Sequence, residues 1–159
     1  MKIHKLINPK NIYLDLEGSE VRSALAAVAN VFSPALELDP ELVIEALVER
    51  EELGSTSVGE GFAIPHCKTQ GLSQIAIALA RFQDSIDFGG AGHEPVRFVF
   101  VVLSPPDQPA AHLQVLSQIA RVLKRRELRS ELLAAAEVLL AATGERIDLC
   151  SNYEADDPA

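Results

Sequence analysis

Residues 96–103 read VRFVFVVL, and Ser104-Pro105-Pro106-Asp107 ends the run. Every position but Arg97 is apolar, and the residues are β-branched, aromatic or leucine. A strand with that pattern belongs at the centre of a sheet covered on both faces. A second clear strand lies upstream at residues 74–82, QIAIALARF. The intervening DFGGAGHEP, residues 87–95, is turn material, so a hairpin-like link between the two strands is expected.

Outward from this pair the periodicity becomes helical. Pro109 suits the first position of a helix whose apolar stripe takes in Val115, Leu116, Ile119, Val122 and Leu123. His112 shares that stripe in the first turn, four residues before Leu116. Residues 128–142 are Leu- and Ala-rich and predict another helix, ending near Gly144. On the N-terminal side, Asp39 is a good N-cap, Pro40 suits the first turn and Gly54 the stop. Leu42, Val43, Ala46 and Leu47 would face the core, with Arg50 one turn beyond Ala46. Ser19 is expected to cap an earlier helix through Phe32, with Val21, Ala24, Leu25, Val28 and Phe32 inside. Alternation over residues 12–16 suggests a short edge strand. The Gly- and Ser-rich 54–61 reads as a loop, and residues 62–64 are too short to assign. This order of elements predicts an α/β fold, a mixed β-sheet with helices packed on it in a single domain. Residues 1–150 would form that domain and 151–159 a polar tail.

The composition of the 159 residues is 48% apolar with no Trp, so the core must be aliphatic. A formal charge of −9 argues against nucleic acid and anionic membrane as partners. Cys67 and Cys150 are the only cysteines, too few for a disulfide scaffold. The N-terminus lacks the apolar stretch of a signal peptide, and no run approaches a membrane span. The expected setting is cytoplasmic and reducing, with no membrane insertion.

The chemistry gathers around EGFAIPHCK, residues 60–68. Pro65 removes a backbone donor and restricts Ile64 to extended geometry, which makes a sharp strand exit just before His66. Taken alone, this describes a surface-loop histidine as well as a reactive one. Arg50 at a helix end, Ser55 and Thr56 in a glycine-flanked loop, and His112 in a first turn could converge on it. Such a set offers an imidazole nucleophile, a fixed cation, hydroxyls and a second imidazole, which suits phosphoryl transfer better than hydrolysis. Each member also has an ordinary reading: Arg50 as a last-turn cation, His112 as a core-edge histidine. His66, Cys67, His93 and His112 invite zinc, but adjacent ligands are badly spaced for it, and no metal is expected. His4 and His93 read as solvated.

Residues 50–68, REELGSTSVGEGFAIPHCK, resemble the active-site signature of the fructose/mannitol-type enzyme IIA components of the bacterial phosphoenolpyruvate-dependent phosphotransferase system. Residues 112–123, HLQVLSQIARVL, resemble that family's second histidine segment. The likeness runs from about residue 5 to 148 and is closest to the stand-alone nitrogen-regulatory branch. It implies a mixed sheet with helices on both faces and no cofactor. It implies that His66 accepts a phosphoryl group from an HPr-like phosphohistidine carrier protein and that His112 steadies it. Arg50, Thr56 and, less directly, Ser55 would stabilise the phosphoryl group. The onward partner would be an enzyme IIB in sugar uptake, or a regulated transporter or kinase. The regulatory role is the favoured expectation, because no IIB or IIC segment accompanies the domain. Two positions depart from the family pattern. Ser57 stands where Gly is frequent, so a positive φ there would be strained. Cys67 stands where Gly or Ala is common and could make the site oxidisable.

Overall fold

The computed structural model describes residues 7–89, 94–131 and 134. Strand β1 (Ile7–Leu16) leads into helix α1 (Val21–Phe32), a 3₁₀ turn (Pro34–Leu36) and helix α2 (Pro40–Glu52). Three short strands follow, β2 (Ser57–Gly59), β3 (Phe62–Ala63) and β4 (His66–Lys68). The long strands β5 (Ala76–Ile86) and β6 (Val96–Ser104) precede helix α3 (Pro109–Lys124). The strands form one mixed sheet in the order β1-β5-β6-β3-β2, with β4 also paired to β6.

The apolar run of residues 96–103 is the centre of this sheet. β6 pairs antiparallel with β5 on one side and parallel with β3 and β4 on the other. Its side chains alternate between two cores, as the two-residue period of a strand requires. Val99, Val101 and Leu103 join Ala78, Ala80 and Phe82 of β5 against α1 and α2. Phe98, Phe100 and Val102 join Ile77 and Leu79 against Val115, Ile119 and Leu123 of α3. Helices therefore cover both faces.

The expected elements are present, with local corrections. Asp39 caps α2, its side chain accepting the Glu41 N–H at 3.0 Å. In α1 the cap position is held by Glu20, not Ser19. Ser23, inside the helix, accepts the Glu20 N–H at 3.1 Å, so the orphan donor is met from within the first turn. The buried face of α2 is rotated from the expected one. Leu42 is 68% exposed, whereas Val43, Ile44 and Leu47 are buried against α1. Residues 54–61 are only partly loop, since β2 and β3 form a hairpin there. Its turn, Gly59-Glu60-Gly61, has φ of +87°, +59° and +86°, the left-handed region that glycine enters without steric cost.

Residues 126–131 and 134 are helical, and the rest of the helix expected over 128–142 lies outside the described residues. So do His4, His93, Cys150 and the polar tail at 151–159. Among the described residues, no helix is long and apolar enough to cross a membrane.

The rotated face of α2 is open to measurement. Leu47→Ala should cost about 2–5 kcal/mol in chemical denaturation, the usual range for truncating a buried leucine. Leu42→Ala should stay within about 0.5 kcal/mol, as a surface change does. Equal losses would contradict the packing.

Candidate functional site

β3 and β4 are one strand interrupted. Ala63 pairs with Val99 and His66 with Val102, so both sides of the ladder advance by three residues across the gap. Pro65 has no N–H to give, but its carbonyl still accepts the Val102 N–H at 3.0 Å. His66 therefore lies in a strand paired to the central one, not in a loop beyond a strand exit.

The interruption frees the Ile64 carbonyl for the ring of His66. It accepts from His66 Nδ1 at 2.8 Å. A carbonyl can only accept, so Nδ1 carries the proton. Arg50, in the last turn of α2, places its Nε 3.1 Å from His66 Nε2. That guanidinium nitrogen can only donate, so Nε2 presents its lone pair. Together the two contacts select the neutral Nδ1–H tautomer. Arg50 is itself held by Nη1 donating to the Gly54 carbonyl at 2.9 Å.

The second imidazole comes from α3, which packs on the sheet face toward which His66 points with its register partner Val102. His112 in the first turn of α3 is buried, and its ring centroid lies 5.4 Å from that of His66, with the planes tilted by 59°. Its Nδ1 is 2.6 Å from Ser104 Oγ.

Both rings titrate below the ordinary histidine value. For His66, burial is the main cause. The Ile64 hydrogen bond opposes it, the Arg50 charge adds to it, and Glu51 opposes it weakly. For His112, burial leads again, followed by charge on His66 and on Lys68. Two imidazoles in contact beside an arginine are thus kept neutral near pH 7.

Thr56 and Ser55 stand differently from the two rings. Thr56 is buried, and Glu51 grips it twice. Its N–H donates to one carboxylate oxygen and its hydroxyl to the other, each at 2.7 Å. The Thr56 carbonyl in turn accepts the Ile64 N–H at 3.0 Å. Thr56 thus fixes the peptide that orients His66, while its hydroxyl proton is committed to Glu51. Ser55 is exposed, and its hydroxyl accepts the Ser57 N–H at 3.1 Å. Neither hydroxyl hydrogen-bonds the imidazole.

The two departures from the family pattern carry little consequence. Ser57 is not among the residues with positive φ. Cys67 points to the opposite side of its strand from His66, into the core beneath α1 and α2. Burial pushes its thiol up to about 12, so a reactive thiolate is scarce and the expected oxidisability is corrected. Among the described residues, no group of three or more His, Cys, Asp or Glu could hold a metal ion.

The model of the family described as "Phosphoenolpyruvate-dependent sugar phosphotransferase system, EIIA 2" matches residues 5–139. The chain belongs to this family. The proteins it is similar to fall into two kinds. It is 33% identical to a nitrogen regulatory protein of Pseudomonas aeruginosa, over 85% of this chain and 88% of that one. It is 35% identical to the fructose-specific EIIABC component of Bacillus subtilis, again over 85% of this chain. It spans only 21% of that larger protein. Among solved structures, the nitrogen regulatory protein IIA-Ntr of Neisseria meningitidis superposes with a TM-score of 0.77 at 30% identity. That match covers 87% of this chain and 97% of the other.

Sequence reading of this EIIA 2 domain missed three groups: Glu51, the Ile64 carbonyl and Ser104. Glu51 carries no motif signal of its own in the sequence. Its position five residues before Thr56, across a helix end, was the only hint. The burial and the Arg50 contact set the sign of one test. By NMR titration the midpoint of His66 should fall below about 6.5, the free histidine value. Arg50→Gln should raise it, because a neighbouring cation that disfavours protonation is gone. An unmoved or lowered midpoint would refute the Arg50 contact.

Proposed function

We propose that this domain is a phosphoryl relay in which His66 Nε2 accepts a phosphoryl group from a phosphohistidine carrier protein. The observation that carries the reading is the pair of contacts on one ring, Ile64 to Nδ1 and Arg50 to Nε2. They leave a neutral imidazole with its lone pair aimed at a fixed cation. The lone pair attacks phosphorus while the P–N bond of the donor breaks and its electron pair returns to the donor nitrogen. The product ring keeps its Nδ1 proton and gains positive charge, which the Ile64 carbonyl stabilises. Arg50 then faces the phosphoryl oxygens instead of a lone pair. His112 stands beside the group and hydrogen-bonds it. Thr56 acts through Ile64 as a positioning residue, and Ser55 has the more distant role of shaping the same loop. The relay itself needs no cofactor.

The output we infer is regulatory: phosphorylation places a phosphoryl group of about −1.5 to −2 charge on His66, only partly offset by the ring, and changes which protein surfaces can dock there. What supports this is likeness, over most of both chains, to proteins named for nitrogen regulation. A transporter or a kinase is the kind of target such a mark would control. The alternative is a IIA step that passes the group to an enzyme IIB in sugar uptake, favoured by the 35% identity to part of a fructose-specific EIIABC component. Partner capture with phosphorylated and unphosphorylated protein separates the two.

Incubation with phosphoenolpyruvate, enzyme I and the phosphocarrier should label the wild type and leave His66→Ala unlabelled. Equal labelling of both would end the assignment. His112→Ala should still be labelled but lose its phosphate faster, by roughly two- to tenfold if one neutral hydrogen bond is lost. An unchanged lifetime would remove His112 from the reacting site.

A further inference from the structure

Ser104 ends β6 and is fully buried. Its carbonyl accepts the Thr69 N–H at 2.8 Å, and its hydroxyl oxygen lies 2.6 Å from His112 Nδ1. Among the described residues, that hydroxyl has no other hydrogen-bond partner. A hydroxyl has one proton to give and lone pairs to receive with. If it received a proton from Nδ1–H, its own proton would be sealed in the interior with no acceptor, which is the costly arrangement. If it donates to the Nδ1 lone pair, neither atom is left wanting.

We propose that Ser104 is a positioning residue that holds His112 as the Nε2–H tautomer, the opposite of the tautomer held at His66. One ring of the pair then offers a lone pair and the other an N–H donor. The difference matters for any group carried on His66 Nε2, because phosphoryl oxygens accept hydrogen bonds and a second lone pair would repel them. With Nδ1 committed to Ser104, Nε2 is the ring nitrogen of His112 left to face such a group. The geometry divides the work between a backbone carbonyl at one imidazole and a serine hydroxyl at the other. The consequence for phosphate retention rests on the phosphoryl-relay reading of His66, whereas the tautomer does not.

The tautomer can be read in ¹⁵N-labelled, unphosphorylated wild-type protein from long-range proton–nitrogen correlations of the His112 ring. The expected result is a proton on Nε2, with Nδ1 resonating as an acceptor nitrogen engaged in a hydrogen bond. In Ser104→Ala the Nδ1 resonance should move toward the position of a free lone pair. In the phosphorylated variant, loss of phosphate from His66 should quicken roughly two- to tenfold, the span of one neutral hydrogen bond. A proton on Nδ1 in the wild type, or an Nδ1 resonance indifferent to Ser104→Ala, overturns the proposal. So does an unchanged phosphate lifetime beside an altered tautomer, which would strip the bond of its positioning role. Failure of wild type to accept phosphate would sink the relay reading instead, leaving the tautomer to be decided by the spectra alone.

Discussion

The hydrogen bond from His66 Nδ1–H to the Ile64 carbonyl exists because a strand is broken at one place and resumes in the same register. Within a regular ladder, that carbonyl would be occupied by a neighbouring strand. Pro65 interrupts the pairing, and the central strand holds the chain in line on both sides of the break. The released carbonyl then fixes the ring two residues later. From that bond follow the tautomer, the exposed lone pair at Nε2 and the ability of Arg50 to sit against it. Support reaches Ile64 from behind, because its N–H is held by Thr56, and Thr56 is held by Glu51 at the end of α2. The orientation of one imidazole is thus set by the last turn of α2, a hairpin and the centre of the sheet together.

The site also depends on where the two faces of the sheet meet. Arg50 arrives from α2, which packs on one face, and His112 from α3, which packs on the other. Between those helices the sheet separates their side chains, but near the carboxyl end of β6 they can come together. Open α/β sheets place their sites at such strand ends for this reason. Partial burial there lowers the proton affinity of both rings, and the fixed arginine lowers that of His66 further. A protonated His66 would turn an N–H toward a guanidinium N–H, so geometry and electrostatics favour the same neutral state.

Much of the framework was legible in local sequence. The apolar run at 96–103 named the central strand, because no helix or edge strand tolerates so continuous a sequence without another reason. Asp39-Pro40 marked the start of α2 through chemistry confined to adjacent residues, and the observed cap follows it. Where the reading failed, the decisive contact came from elsewhere in the chain. Leu42 was placed inside and lies outside, because the packing of α1 selects which face of α2 is buried. His66 was expected beyond a strand exit and lies within a strand, because β6 imposes its register through the break. Cys67 invited thoughts of metal or oxidation, yet the pleat turns it into the core away from the imidazoles.

The sequence by itself determined the layered α/β framework, the family, and the pair of histidines with a preceding arginine. Period, caps and short motifs are local properties, carried by residues a few positions apart. The tertiary structure alone decided which nitrogen of the His66 ring bears a proton, which hydroxyl is committed to a carboxylate, and which carboxylate is structural. Those answers depend on hydrogen bonds between residues up to sixteen positions apart, such as Arg50 with His66. A buried donor or acceptor must find its partner in space, and composition does not say which partner that will be.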